Sequence, residues 1–152
     1  DAEGLPNRRL ALVEDGILKS WFLSLGTAEQ LGMKSTGHAT RGVSSPPRPG
    51  STNLYLAGGA GTAEELIASV NSGIYVTELI GMGVNDVTGD YSRGAAGFLI
   101  ENGKLGEPVN EFTIASNLKP MLRGLIAADD LEFRYGTNVP TLAIPDMMIA
   151  GQ

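Results

Sequence analysis

Three features of the sequence predict an α+β domain, with antiparallel β-hairpins in mixed sheets and about three short helices. Asp15-Gly16 and Asn102-Gly103 each lie between strand-like runs, and such dipeptides supply the positive φ angles of a tight turn. Thr27-Ala28-Glu29-Gln30 and Thr62-Ala63-Glu64-Glu65 both match a capping box. Leu118, Met121, Leu122, Leu125 and Ile126 form an apolar stripe at helical spacing.

Taken in order, Arg8 to Val13 and Ile17 to Leu25 read as a first hairpin, with Trp21, Leu23 and Leu25 on one face. A short helix capped by Thr27 follows and ends at Gly32. Residues 35 to 61 hold six glycines and three prolines, so Ser35 to Gly50 is expected as a long flexible surface loop. Asn53 to Ala57 is a short strand. The Thr62 helix carries Leu66, Ile67 and Val70 on one face, and the β-branched run Ile74 to Ile80 predicts a buried strand. Gly94 to Glu101 and Lys104 to Ala115 make the second hairpin, with Phe112 and Ile114 facing one way and Glu111 and Thr113 the other. Pro120 fits the third helix because it lies in the first turn. Thr141 to Ile144 and Met147 to Ala150 are terminal strands. All of this reads as one domain, residues 1 to 152.

Composition then narrows the function. The chain has 152 residues and a formal charge of −6, with no basic stretch, so nucleic acid and anionic membrane surfaces are not expected partners. It has no cysteine, hence no thiolate chemistry, and one histidine, hence no two-histidine metal motif. No apolar run reaches the length of a membrane span and no leader is visible, so a cytoplasmic location is expected. The opening without Met, inside a strand-like segment, reads as a piece of something longer.

Candidate chemistry is sparse. His38 has no nucleophile and orienting carboxylate near it in sequence, so local hydrogen bonding is its expected role; the contrary reading is a stand-alone hydrolase pairing it with a serine. Leu56 to Thr62 precedes a helix but lacks the Gly-Lys-Ser/Thr of a phosphate loop, so a strand-to-helix turn is expected. Asp86, Thr88 and Asp90 have calcium-loop spacing, but Tyr91 and Gly97 stand where an EF-hand needs Gly and Glu. The densest unusual segment is Gly81 to Gly97, GMGVNDVTGDYSRGAAG. Its glycines permit close backbone approach, and Asp90 with Arg93 suggests an ion pair. Two readings stand. Asn85, Thr88, Gly89, Asp90, Ser92 and Arg93 make a structural turn, or they line a groove where an extended peptide adds to a strand.

Residues 73 to 122, GIYVTELIGMGVNDVTGDYSRGAAGFLIENGKLGEPVNEFTIASNLKPML, resemble the TldD/PmbA family, once called modulators of DNA gyrase. The opening DAEGLPNRR, STGHA at Ser35 and the closing MIAGQ resemble it too. TldD-type members carry a Phe/Ser-rich run ending Ser-Glu-Ala-Tyr where this chain has Tyr91 to Phe98, so the likeness is to the C-terminal domain of the PmbA/TldE-type subunit.

The resemblance implies a part in a heterodimeric TldD–TldE zinc metallopeptidase that processes peptides and unfolded polypeptides. In that family the TldD-type subunit carries the zinc, through a His-Glu-x-x-x-His motif and a later cysteine. This chain has no cysteine to match, so no metal ligand and no catalytic residue carries over, and zinc is expected in the partner. The implied role is to supply structure and peptide-binding surface. The expected partners are a TldD-like subunit or a second copy of the chain, and a peptide or unfolded polypeptide substrate. The alternative is a self-associating structural module with no peptidase role.

Overall fold

The computed structural model describes residues 1 to 151. The element order is β1 (Val13–Glu14), β2 (Ile17–Leu18), α1 (Leu25–Gln30), β3 (Ala39–Thr40), β4 (Arg48–Pro49), β5 (Leu54–Tyr55), α2 (Ala63–Ser69), β6 (Ser72–Ile80), β7 (Asp90–Glu101), β8 (Lys104–Asn117), α3 (Leu118–Gly124), β9 (Ile126–Ala127), β10 (Thr137–Asn138), β11 (Leu142–Ala143) and β12 (Met148–Ala150). The fold is α+β. The elements fall into two compact units: Asp1–Tyr55 with Phe133–Asn138, and Leu56–Glu132 with the segment from Val139 onward.

The first unit is built from short pieces. Asp15 and Gly16 take φ angles of 51° and 73° and turn β1 into β2. The strands are shorter than expected, only Val13–Glu14 against Ile17–Leu18. No third strand joins them, and an isolated two-stranded ribbon has little to hold it. Helix α1 begins one turn earlier than its Thr27 signature suggests. Ser24 is the N-cap and Thr27 is the third helical residue, each bonding to the other's backbone. A hydroxyl at Thr27 serves the cap as a glutamate would. Gly32, at φ 63°, takes the left-handed position after the helix.

The Ser35 to Gly50 segment is not a plain surface loop. Thr36, His38 and Ala39 are buried, and β3 pairs with β4 by Ala39↔Pro49 and Thr40↔Arg48. Thr36 Oγ1 accepts the Leu23 amide at 2.8 Å, which removes the polar cost of burying it. Parallel pairing of β5 with β10 closes the unit, and the Tyr55 and Phe133 rings meet edge to face at 5.2 Å.

The second unit is organised by a four-stranded sheet in the order β12-β8-β7-β6. The β7–β8 hairpin turns at Asn102 (φ 50°) and Gly103 (φ 75°), as the Asn-Gly dipeptide predicts. Its strands run farther than expected, back to Asp90 and on to Asn117. Ala95, Phe112 and Ile114 are the buried centre, packed by Ile74, Val76, Tyr91, Val109 and Met147. Glu111, at φ 55°, sits in the irregular stretch where Ala95↔Phe112 gives way to Gly97↔Val109. Strand β6 is not the buried strand its composition suggests. It lies at the sheet edge, and Leu79 and Ile80 are exposed at 41% and 55%.

Helix α2 is capped by Thr62 and Glu65 as expected. Helix α3 stops at Gly124, so of the predicted stripe only Met121 is buried, and Ile126 pairs in β9 with β11. No helix among the described residues is long and apolar enough to cross a membrane.

Gly97 lies where β7 passes β6, and a Cβ there would collide with the Tyr75 carbonyl. Gly97→Ala should therefore lower stability by about 2 kcal/mol or more, read as a reduced urea midpoint with an unchanged slope.

Candidate functional site

The chain leaves β6 through Gly81 (φ 78°) and returns beside β7. On the way back Gly83 O accepts the Ser92 amide at 2.7 Å, Val84 bridges Tyr91, and the Asn85 amide donates to Asp90 O at 2.9 Å. Gly83 is required here, because a Cβ would strike the Ser92 carbonyl. Between the two arms, Asn85 Oδ1 accepts from the amides of Val87 (2.9 Å) and Thr88 (3.1 Å), an Asx turn. Gly89, at φ 80°, closes it with a 2.8 Å bond to Asn85 O.

Asp90 is the polar centre of the turn. Its carboxylate accepts the Thr88 hydroxyl at 2.7 Å and Asn117 Nδ2 at 3.2 Å. Those two bonds, Thr88 first, hold the carboxyl below the usual aspartate range. Asn117 does more than this. Its Nδ2 also reaches Thr88 O at 2.9 Å, while its Oδ1 caps α3 through the Lys119 amide at 3.1 Å. Leu118 N donates to Gly89 O at 2.8 Å. One asparagine thus ties the loop to the start of a helix.

Of the six residues singled out in sequence, the structure gathers Asn85, Thr88, Gly89 and Asp90 around Asn117. Ser92 and Arg93 stand apart on the strand. The expected Asp90–Arg93 ion pair does not form. Positions three apart on a strand face opposite ways, and Arg93 Nη2 instead donates to Leu79 O at 3.2 Å. Asn117 was not singled out from sequence, although an asparagine before Leu118-Lys119-Pro120 is a cap signal. The calcium-loop spacing of Asp86, Thr88 and Asp90 gathers no metal-binding cluster.

The other candidates resolve locally. Residues 58 to 61 are taken up by main chain, with Gly59 N on Ala128 O at 2.7 Å and Gly61 bridged to Ala128, so this is a strand-to-helix turn. His38 is buried, its Nδ1 is 2.8 Å from Thr36 O, and its ring lies 5.2 Å from Phe22. The nearby Ser35 hydroxyl is spent on Leu23 O at 3.0 Å. No serine–histidine pair is assembled there.

What these residues build is a frame: a four-stranded antiparallel sheet with a glycine-lined return loop and a helix hung from it. Residues 1–151 match the model of the PmbA/TldA metallopeptidase C-terminal domain, and the chain belongs to that family. It is 43% identical over 153 residues to the metalloprotease PmbA of Escherichia coli O157:H7, covering 100% of this chain and 32% of that protein. It is 34% identical to a metalloprotease TldD homolog of Buchnera aphidicola subsp. Acyrthosiphon pisum, over 91% of this chain and 29% of that one. The crystal structure of TldE from Thermococcus kodakarensis superposes with a TM-score of 0.88 at 26% identity, covering 99% of this chain and 36% of that chain. The chain spans about a third of the length of the curated relatives it matches.

The family name implies a metal, and the donor set can be tested against it. Catalytic zinc takes three protein ligands from His, Cys, Asp and Glu. Among the described residues no three such groups gather, and the chain has no cysteine and a single histidine. The residues present do not fit a zinc centre.

Asn117→Ala removes a helix cap and two loop bonds, so a loss of about 1–2 kcal/mol is expected, read by chemical denaturation. The Asp90 carboxyl has a lower pKa folded than unfolded. Its stabilisation is therefore present above the ordinary aspartate pKa and fades as pH falls through the folded value. In Asn117→Ala, NMR titration should find the Asp90 midpoint moved upward.

Proposed function

We propose that this chain is the C-terminal domain of the PmbA/TldE-type subunit of a cytoplasmic, heterodimeric zinc metallopeptidase concerned with peptide maturation and proteolysis. It supplies frame and peptide-binding surface, and a TldD-type partner holds the zinc. The observation that carries the reading is the donor set: a metallopeptidase-family domain with no cysteine and a single histidine, and no three potential zinc ligands gathered among the described residues.

The peptide is assigned to the outer edge of β6. That strand runs nine residues, Ser72–Ile80, with β7 on one side and, among the described residues, no strand on the other. It carries neither Lys nor Pro, the residues that commonly guard an edge. An extended chain adds to such an edge through main-chain bonds, and side chains such as Leu79 and Ile80 select among sequences. Asn85 Oδ1, the Thr88 hydroxyl and the Asp90 carboxylate bond within their own turn or to Asn117, which supports a structural role for them beside that edge.

The test uses the full-length subunit that contains this domain, alone and mixed with a TldD-type protein. Alone it should neither retain zinc after dialysis nor cleave an unfolded polypeptide, and the mixture should do both. A subunit that keeps stoichiometric zinc and cleaves unaided overturns the reading. Light scattering separates a heterodimer from self-assembly. Ile80→Lys should weaken peptide binding by the complex several-fold, with stability altered by no more than about 0.5 kcal/mol.

A further inference from the structure

The tip of the β7–β8 hairpin is chemically labile. Asn102-Gly103 is the one Asn-Gly pair in the sequence, and Asn102 is exposed. Glycine has no side chain to keep its own nitrogen away from the preceding side-chain amide. We propose that Asn102 is a site of spontaneous deamidation, with water as the only co-reactant. Its rate is set by how often this turn parts from the segment joining α2 to β6.

The reaction balances without an oxidant or reductant. Gly103 N loses its proton and attacks Asn102 Cγ. The new C–N bond closes a succinimide, and the side-chain nitrogen leaves as ammonia. Water then adds at one of the two ring carbonyls and reopens the ring, giving aspartate or isoaspartate.

The folded turn restrains the first step. Gly103 N–H donates to Val70 O at 2.9 Å, and Asn102 N–H donates to Asn71 O at 2.7 Å. The proton that must be lost is therefore the one held by Val70. Gly103 is also close-packed there, since a Cβ on it would lie 2.6 Å from Ala68 O. Hydrogen exchange at Gly103 requires removal of the same proton after the same opening. Deamidation in the folded protein is thus slowed by the factor by which that amide is protected.

The two products differ in what they do to the fold. Aspartate suits the turn, because Asp15-Gly16 occupies nearly the same conformation in the first hairpin, with φ of 51° and 73° against 50° and 75°. Isoaspartate inserts a methylene into the main chain. A two-residue turn so lengthened cannot keep Glu101↔Lys104 and Ile100↔Leu105 in register.

The full-length protein containing this domain is aged at mildly alkaline pH, and the tryptic peptide from Gly94 to Lys104 is followed by mass spectrometry. The same synthetic peptide serves as the unstructured reference, and Gly103 exchange is measured by NMR across a sub-denaturing urea series. Asn102 should convert before Asn53 or Asn110. Its retardation relative to the peptide should track Gly103 protection as urea rises. Asn102→Asp should unfold at nearly the unmodified midpoint, and the purified isoaspartate form at a lower one. Equal rates in protein and peptide, retardation that ignores Gly103 protection, or an unchanged Asn102 while other asparagines convert would each overturn the proposal.

Discussion

The second unit depends on close backbone approach to β7. This strand has β8 on one side. On the other it meets β6 and then the returning 83–85 segment, and at both of those contacts a glycine stands where a side chain would collide with a carbonyl. Gly97 faces the Tyr75 carbonyl and Gly83 faces the Ser92 carbonyl. Glycine is unfavourable in a strand by about 0.5–1 kcal/mol relative to alanine. The structure accepts that penalty at Gly97, inside β7. In return Ala95, Phe112 and Ile114 come together as a small, dry centre.

That geometry decides what the GMGVNDVTGDYSRGAAG segment does. Once Gly83 and Asn85 are bonded to Ser92 and Asp90, the intervening residues have only a short span to bridge, and they do it with their own polar groups. Asn85, Thr88 and Asp90 bond to each other and to local backbone, and Asn117 joins the result to α3. Those bonds fix the side chains in place, so the turn holds its shape without a ligand. Main chain left unpaired at an edge is a different matter, and the nine residues of β6 make such a run free of proline.

What was legible in the sequence was local chemistry. Asp15-Gly16 and Asn102-Gly103 located both hairpins because positive φ at two adjacent residues is met by few dipeptides. The Thr62–Glu65 box located α2, and Pro120 was correctly confined to a first turn. The Thr27 box misled by one turn because Ser24 offers the same hydroxyl three residues earlier. Non-local pairings left no local trace. The β5–β10 ladder joins Leu54 to Thr137, and nothing near either residue announces the other. The burial of Thr36 and His38 was hidden for the same reason, since it depends on partners such as Leu23 and Phe22. Asn117 was visible as a helix cap but not as the anchor of a loop nearly thirty residues away.

The relation between the two kinds of family member follows from this division. The PmbA-type and TldD-type relatives both align with this chain over nine-tenths of its length or more. Among the described residues no three potential zinc ligands gather. What the two types share is a fold, and something in the chain itself must hold it. Here that something is visible in the backbone: glycines at two crossing points, an Asn-Gly turn, and an asparagine shared between a loop and a helix. None of these touches a reacting group, and all of them act on the placement of β6, β7 and β8. Such a frame constrains turn residues and close contacts, and leaves exposed edge side chains such as Leu79 and Ile80 free to vary.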